Sequence, residues 1–338
     1  SESMSISTQP WWKNAVMYHV YVRSFADSNG DGLGDLQGLI NRLDYLKGGE
    51  SSLGIDALWL SPIYPSPDAD FGYDVADYCN IDLRYGTLEL FDKLVEKAHE
   101  RGIRIIMDLV FNHTSDQHPW FLESRSSRNN PKRDWYIWQD PAPGGRPPNN
   151  WQAVFGGRAW DFDPETEQYY LHLFVKQQPD LNWRNPEVAA ALMDVVRFWL
   201  NRGVDGFRLD VFNLWFKHPD FPDNPPALGI RAFDRQKPLH IMDQPEMFPA
   251  LNTFREILDA HGDTTSVGEL FEPGVERAAS YCGKDKLHMV FNFEFSKCPF
   301  SPARFREAIQ RWEDALEEDQ WPCYVLSNHD LNRHVTRY

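Results

Sequence analysis

Short apolar runs alternate with longer amphipathic stretches along the whole chain, and this alternation limits the fold more than any other feature. The runs are Val16–Val22, Ile55–Leu60, Ile103–Val110, Val204–Leu209, Thr265–Gly268, Met289–Phe293 and Cys323–Ser327. Each is rich in Val, Ile, Leu or aromatic residues and bounded by Gly, Asp or Asn, as a parallel strand covered on both faces should be. Helical periodicity marks Asp35–Lys47, Leu88–Arg101, Pro186–Arg202, Gln244–His261 and Pro302–Glu317. Arg101-Gly102 and Arg202-Gly203 each join a basic last turn to a glycine stop. Seven strands with helices between them predict a parallel α/β sheet or barrel.

The chain has 338 residues, which suits two domains or one large α/β barrel with an insertion. Apolar residues at 42% and charged residues at 25% exclude a disordered, collagen-like or coiled-coil chain. Against 34 basic residues stand 50 acidic ones, a net charge of −16. Nucleic acid is therefore not an expected partner, since phosphate binding needs a basic face. Nor is a polybasic membrane anchor, and no apolar run approaches the roughly 18 residues of a membrane span. A small neutral or cationic molecule fits better. Cys79, Cys282, Cys298 and Cys323 form no C-x-x-C pair, so they read as free thiols of a reducing compartment. With no secretory pattern over Ser1–Gln9, the expected location is cytoplasmic.

Far more chain lies between the third and fourth strands than one helix needs. Residues 113–181 hold the excess, including the turn-rich Pro141-Ala-Pro-Gly-Gly-Arg-Pro-Pro148 and many aromatics. A structureless loop of that length is uncommon, so the segment reads as an inserted subdomain. It divides a barrel's first part, 1–112, from its continuation, 182–338.

In a parallel barrel the catalytic groups gather at the C-terminal ends of the strands. Strand three ends in Asp108-Leu-Val-Phe-Asn-His113 and strand four in Gly206-Phe-Arg-Leu-Asp210. Strand five ends in Val267-Gly-Glu269 and strand seven in Ser327-Asn-His-Asp330. One acid at a strand end could be a helix cap. Four of four, interleaved with Arg and His, are poorly explained by capping. Carboxylates converging on one mouth suit glycoside hydrolysis. One attacks the anomeric carbon, and one protonates the leaving oxygen and then acts as base. In a retaining enzyme the pair is roughly 5–5.5 Å apart. A third can stabilise positive charge on the sugar ring.

These four blocks resemble the signature blocks of the α-amylase superfamily of glycoside hydrolases. The likeness runs from Trp11 to the last residue and is strongest to the bacterial α-glucosidase and oligo-1,6-glucosidase branch. Gln178-Pro-Asp-Leu-Asn-Trp183 resembles a block that marks that branch. The resemblance implies a (β/α)8, TIM-type barrel with a subdomain inserted after strand three. It implies Asp210 as nucleophile, Glu269 as general acid/base and Asp330 as transition-state stabiliser. His113 and His329 would bond sugar hydroxyls. Asp70, in Asp70-Phe-Gly-Tyr-Asp74, would grip a hydroxyl at the non-reducing end, and Tyr73 would stack on the ring. Phe155 and Phe174 would wall the leaving-group side, and Gln178 would join the substrate-binding set. Arg208 shares a strand face with Asp210 by period-two geometry, so it is expected to keep that acid ionised. Glu269 needs the opposite setting, so that it can donate a proton.

A second site is expected at Asp27-Ser-Asn-Gly-Asp-Gly-Leu-Gly-Asp35. Side-chain oxygens of Asp27, Asn29, Asp31 and Asp35, with the Leu33 carbonyl, reproduce the first part of a calcium loop. An EF-hand's closing Glu would fall at Gly38, so this is a stand-alone loop. The expected ion is a structural Ca2+, with Mg2+ the alternative.

The sequence departs from relatives in two places. His19 and Val22 stand where Gln and Pro are usual. The chain also stops eight residues after Asp330, before the eighth strand, the C-terminal β domain and an Arg that usually pairs with the acid matching Asp70. The remaining part of the protein is therefore an expected partner in completing the barrel. The leading functional expectation is a retaining, exo-acting α-glucosidase that cleaves short oligosaccharides or disaccharides. Val211, after the nucleophile, leans it towards α-1,6 links. The alternatives are a glucosyl-transferring or isomerising relative, such as a trehalose synthase or sucrose isomerase, and a non-catalytic binding subunit. The last is disfavoured because Asp210, Glu269 and Asp330 all stand.

Overall fold

The computed structural model describes residues 9–292 and 301–325. His329, Asp330 and Cys298 lie outside the described residues, so nothing is placed for them. Among the described residues there are ten strands: β1 (Met17–Val20), β2 (Ala57–Leu60), β3 (Arg104–Leu109), β4 (Trp138–Gln139), β5 (Trp160–Asp163), β6 (Gln168–Leu171), β7 (Gly206–Leu209), β8 (Thr265–Gly268), β9 (Met289–Asn292) and β10 (Cys323–Tyr324). Seven of them form one parallel sheet in the order β1-β2-β3-β7-β8-β9-β10. These are the seven apolar runs, most of them shorter by a few residues and Thr265–Gly268 unchanged, and the sheet is the barrel wall that the sequence predicts.

Nine helices are described: α1 (Val22–Phe25), α2 (Leu36–Asn41), α3 (Leu43–Leu46), α4 (Leu88–Glu100), α5 (Pro119–Ser126), α6 (Pro186–Asn201), α7 (Met247–His261), α8 (Val275–Ser280) and α9 (Pro302–Ala315). The single helix expected over Asp35–Lys47 is two pieces. Asp35 caps α2 by accepting the Gly38 amide at 2.7 Å, and at Arg42 the backbone leaves the helix with φ −103° and ψ 1°. Leu36, Leu39, Leu43 and Leu46 stay buried across the break, so the core face survives it. After α6, Gly203 takes φ +90°, the left-handed stop read from its sequence.

Alternation along the strands separates two cores. Leu58, Leu60, Ile105, Met107, Leu109, Phe207 and Leu209 face outward and pack with the helices. Ala57, Trp59, Ile106, Val267, Met289 and Phe291 form a smaller inner core, joined by Trp12 from just ahead of β1. Gly206 belongs to this inner level. A Cβ there would stand 2.5 Å from the Thr265 carbonyl oxygen and 2.9 Å from Ile106 Cδ1, so only glycine lets the strands close. One step further along the same inward rows, polar groups replace apolar ones. Asp108 follows Ile106, Arg208 follows Gly206, and Glu269 follows Val267.

The inserted segment has its own antiparallel sheet, with β6 between β4 and β5. Its entry and exit strands zip together, with Leu181 N donating to Asn112 O, Thr114 N to Pro179 O and Asp116 N to Gln177 O. Ile137, Trp151, Trp160, Tyr169 and Leu173 then pack onto Val211, Leu214, Phe233 and Ile241 from the loop after β7. No described helix is long and apolar enough to cross a membrane. Cys79, Cys282 and Cys323 are free thiols.

His118 caps α5, its Nδ1 accepting the Trp120 amide at 3.1 Å, and is buried between Tyr78 and Trp120. Burial pushes its pKa down to about 3. Below the unfolded value of about 6.5, only the unfolded chain takes this proton. Stability is therefore lost as pH falls from 6.5 towards 3, by up to about 1.4 kcal/mol per pH unit. His118→Asn keeps a cap acceptor but cannot titrate. Thermal unfolding between pH 6.5 and 4 is expected to depend less steeply on pH in that variant.

Candidate active site

The mouth of the barrel is organised by one buried cation. Arg208 is 1% exposed. Its Nη1 donates to Asp108 Oδ1 and Oδ2 at 2.9 and 3.0 Å and to Asp210 Oδ1 at 2.9 Å, and its Nη2 donates to Glu269 Oε2. The three acids come from three neighbouring strands. The β3–β7 register pairs Asp108 with Arg208 directly, and the β7–β8 register pairs Arg208 with Val267, two residues before Glu269. Backbone bonds pin the last two acids just beyond their strands: Asp210 N donates to Leu109 O, and Glu269 N to Leu209 O. Val211 then turns the chain with φ 34° and ψ 44°, a left-handed conformation strained for a β-branched residue.

Two aromatic rings cover the guanidinium, Trp59 at 4.9 Å and Tyr73 at 5.8 Å. Both also donate to Asp108 Oδ2, from Trp59 Nε1 at 3.1 Å and Tyr73 Oη at 3.2 Å. His19 stacks on Trp59 at 3.9 Å, and its Nε2 lies 2.6 Å from Ser61 Oγ, so this departure from relatives supports the Trp59 ring.

The electrostatics correct one expectation. Arg208 does favour the charged form of Asp210. Burial opposes it more strongly, and Glu269 and Asp108 add to the opposition, so the Asp210 carboxyl is held well above the usual range. Burial raises Asp108 as well, against the pull of Arg208. One guanidinium shared among three acids cannot offset both desolvation and their mutual repulsion.

The remaining sequence-predicted residues form a ring around this centre. His113 is buried. Its Nε2 donates to Tyr73 O at 3.0 Å, and its Nδ1 accepts from Asn112 Nδ2 at 3.2 Å. Burial pushes its pKa down to about 4, so it stays a neutral Nε2–H imidazole at neutral pH. Both nitrogens are thus engaged by the protein, and what His113 positions is Tyr73. Gln178 is buried too, and its Nε2 donates to Asp70 Oδ2 at 3.0 Å, so it orients Asp70. Asp74 fixes that loop by accepting the Ala69 and Asp70 amides. Phe174 meets the His113 ring at 5.3 Å and Phe155 at 5.9 Å; Phe155 is 67% exposed.

In the expected cation loop, side-chain oxygens fold back on the loop's own amides. Asp27 accepts from Asn29, Gly30 and Gly32, Asn29 from Asp31, and Asp31 from Leu33. Those amides, Gly32 foremost, hold Asp27 below the usual carboxylate range. Asp35 lies at the loop base, joined to Ser28 and capping α2. The donors are all oxygen, which suits a hard divalent ion. Among the described residues no group of three or more His, Cys, Asp or Glu is gathered to hold a metal.

Sequence reasoning missed the role of Asp108, whose only signal was its place at a strand end. It also missed a second buried cluster. Lys217 Nζ lies 2.7 Å from Asp180 Oδ2 and 2.9 Å from Asn112 Oδ1, with both charged side chains at most 1% exposed. Asn112 Nδ2 and Leu173 N complete the shell of Asp180. The cluster ties the Gln178–Trp183 block to the end of β3 and to the loop after β7. Removing one partner of such a pair strands the other charge. Lys217→Met is expected to cost about 3–5 kcal/mol in urea unfolding. Arg197→Met, which breaks an exposed pair with Asp194, is expected to cost less than about 1 kcal/mol.

Known proteins share this sequence and fold. The sequence profile of the alpha-amylase catalytic domain matches residues 19–338. A probable alpha-glucosidase of Rhizobium meliloti (strain 1021) is 47% identical over 342 residues, covering 97% of this chain and 61% of that protein. An oligo-1,6-glucosidase of Heyndrickxia coagulans is 45% identical over 349 residues, with 97% and 61% covered. The crystal structure of an alpha-glucosyl transfer enzyme superimposes with a TM-score of 0.92 at 47% identity, over 97% of this chain and 63% of that one. The chain thus spans about three fifths of the length of these relatives. It belongs to the alpha-amylase catalytic-domain family.

Proposed function

We propose that the chain carries the catalytic centre of a retaining α-glucosidase. It removes single glucose units from the non-reducing end of short α-glucosides, α-1,6-linked ones preferentially. The observation that carries this reading is the convergence of Asp108, Asp210 and Glu269 on buried Arg208. A buried ion cluster is weak evidence for stability, since desolvation offsets most of its Coulomb gain. Acids set at strand ends around the barrel mouth have a chemical use instead.

In the first step an Asp210 carboxylate oxygen bonds to C1 of the glucosyl unit. The C1–O bond to the leaving group breaks, and the Glu269 carboxyl proton passes to that oxygen. In the second step water attacks C1, its proton returns to Glu269, and Asp210 leaves as carboxylate. Two inversions release α-glucose. Burial and the neighbouring acids work against the ionised form of Asp210, and its bond from Arg208 Nη1 works for it. Asp330 is assigned to stabilising the ring's positive charge. Asp70 and Tyr73 hold the terminal sugar, placed by Gln178 and His113.

A transfer reaction is the second reading, favoured by the likeness to the alpha-glucosyl transfer enzyme. It shares the first step and replaces water by a sugar hydroxyl. In the full-length protein, product anomers followed by NMR from isomaltose and maltose are expected to show α-glucose first. Glu269→Gln is expected to cut the rate by about 10²–10⁴-fold. β-Glucose released first would overturn the retaining assignment. New disaccharides without net glucose would move the function to transfer.

The Asp27–Asp35 loop is proposed to take a structural Ca2+ or Mg2+. Its role is structural, since the loop joins α1 to α2 and its last residue, Asp35, caps α2. Chelation is expected to lower the thermal midpoint of the full-length protein, and to have no effect on Asp27→Ala. An unchanged midpoint after chelation would remove the ion from the account.

A further inference from the structure

The segment after the candidate nucleophile and the segment after the candidate acid are joined by one side chain that the steps above do not use. Asn213 stands three residues after Asp210 and is fully buried. Its Oδ1 accepts the Phe271 amide at 2.8 Å, and its Nδ2 donates to the Phe271 carbonyl at 3.0 Å. It thus pairs with both backbone groups of a residue two places beyond Glu269, as a neighbouring strand would. Glu269 N already donates to Leu209 O, one residue before Asp210. The acid is therefore bracketed by two anchors on the nucleophile's own strand end, Leu209 on one side and Asn213 on the other.

The local structure is built to present that amide. Val211, in its left-handed conformation, reverses the chain into a short turn of helix, Phe212–Leu214, and Asn213 in its middle meets the segment after β8. Strain of this kind persists only where neighbours over-determine it. Gly268, just before Glu269, leaves the room, since a Cβ there would stand 2.5 Å from Phe212 Cε1 and from Leu287 Cδ1. Asn213 Nδ2 also donates to Asp243 Oδ1 at 3.1 Å, and Asp243 N donates to Asn213 O at 2.9 Å. Asp243 is itself held by Tyr281 Oη at 2.8 Å and by Arg277 Nε at 3.1 Å. Both amide protons of Asn213 and its carbonyl oxygen are used, so the orientation of the amide is fixed.

We propose that Asn213 is a positioning residue that sets the separation of Glu269 from Asp210. A retaining pair must stand roughly 5–5.5 Å apart, and strand register alone fixes only where each strand ends. Asp210 is secured without Asn213, by Leu109 O and by Arg208. Without Asn213 the Phe271 amide and carbonyl lose their partner, and Glu269 keeps one side of its bracket. Proton delivery to the leaving oxygen suffers, while attack by Asp210 does not. The proposal rests on the glucosidase reading and adds to it the device that holds its two acids in place.

The test compares kcat/KM for isomaltose with that for α-glucosyl fluoride in full-length wild type, Asn213→Ala and Tyr281→Phe, each checked for a cooperative thermal transition. Both constants report the steps up to bond cleavage at C1. Isomaltose needs its leaving oxygen protonated, whereas fluoride leaves as the anion and needs little help from Glu269. Asn213→Ala is expected to lose about 10²-fold on isomaltose and less than about tenfold on the fluoride. Tyr281→Phe keeps Asn213 and only loosens Asp243, so its gap between the substrates is expected to be about threefold in the same sense. A purely structural role would lower both substrates equally, through the folded fraction. Equal losses on the two substrates, or none, in Asn213→Ala would overturn the proposal; should that variant not fold, the absence of a gap in Tyr281→Phe would do so. A wild type that cleaves neither substrate would instead overturn the glucosidase reading.

Discussion

A guanidinium with 1% exposure cannot remain in a protein interior without partners, and the barrel mouth is built to supply them. Arg208 takes acids from β3, from its own strand β7 and from just beyond β8. That requirement ties strand register to charge. Sliding β3 by one residue would turn Asp108 outward into the helix layer and leave Leu109 against Arg208. Pairing of Ile106 with Gly206 and of Asp108 with Arg208 is thus enforced twice, once by inner packing and once by electrostatics. The side chains that define the mouth are the same ones that lock the wall beneath it.

This division of labour runs along each inward row. The lower level is apolar and nearly solid, closed by Trp12 and made possible by the missing side chain at Gly206. The upper level is charged and pays for its burial with mutual pairing. Stability and chemistry therefore occupy successive positions of the same strands, as they do in parallel barrels generally. The strained backbone at Val211 fits that pattern, since it lies directly after Asp210 and under the packed subdomain.

Much of the fold was legible because its strands are buried on both faces and so read as unbroken apolar runs. The break at Arg42 was not legible, because the four buried leucines keep helical spacing across it. Strand-end acids were visible one by one. Their convergence on a single cation was not, because it depends on register between strands about a hundred residues apart. The setting of Asp210 was only half legible for the same reason. Period two placed Arg208 beside it but gave neither its burial nor the two competing acids. Lys217 left no pattern at all, since its partners Asp180 and Asn112 are remote in sequence.

The Lys217–Asp180 pair also decides what kind of part the inserted subdomain is. Opening a hinge there would separate two buried charges, at a cost of several kcal/mol. The zipped backbone between Asn112–Asp116 and Gln177–Leu181 would have to part as well. Asp70 is held through Gln178 from this same block, and Tyr73 through His113, so any such motion would pull apart the groups around the mouth. The subdomain is therefore a fixed wall of the mouth at its root. Freedom is left to its rim, where Gly156 and Gly157 follow exposed Phe155 with φ of 109° and 82° and no neighbour within 4 Å of a Cβ. The acids and Arg208, by contrast, stay in register below that rim.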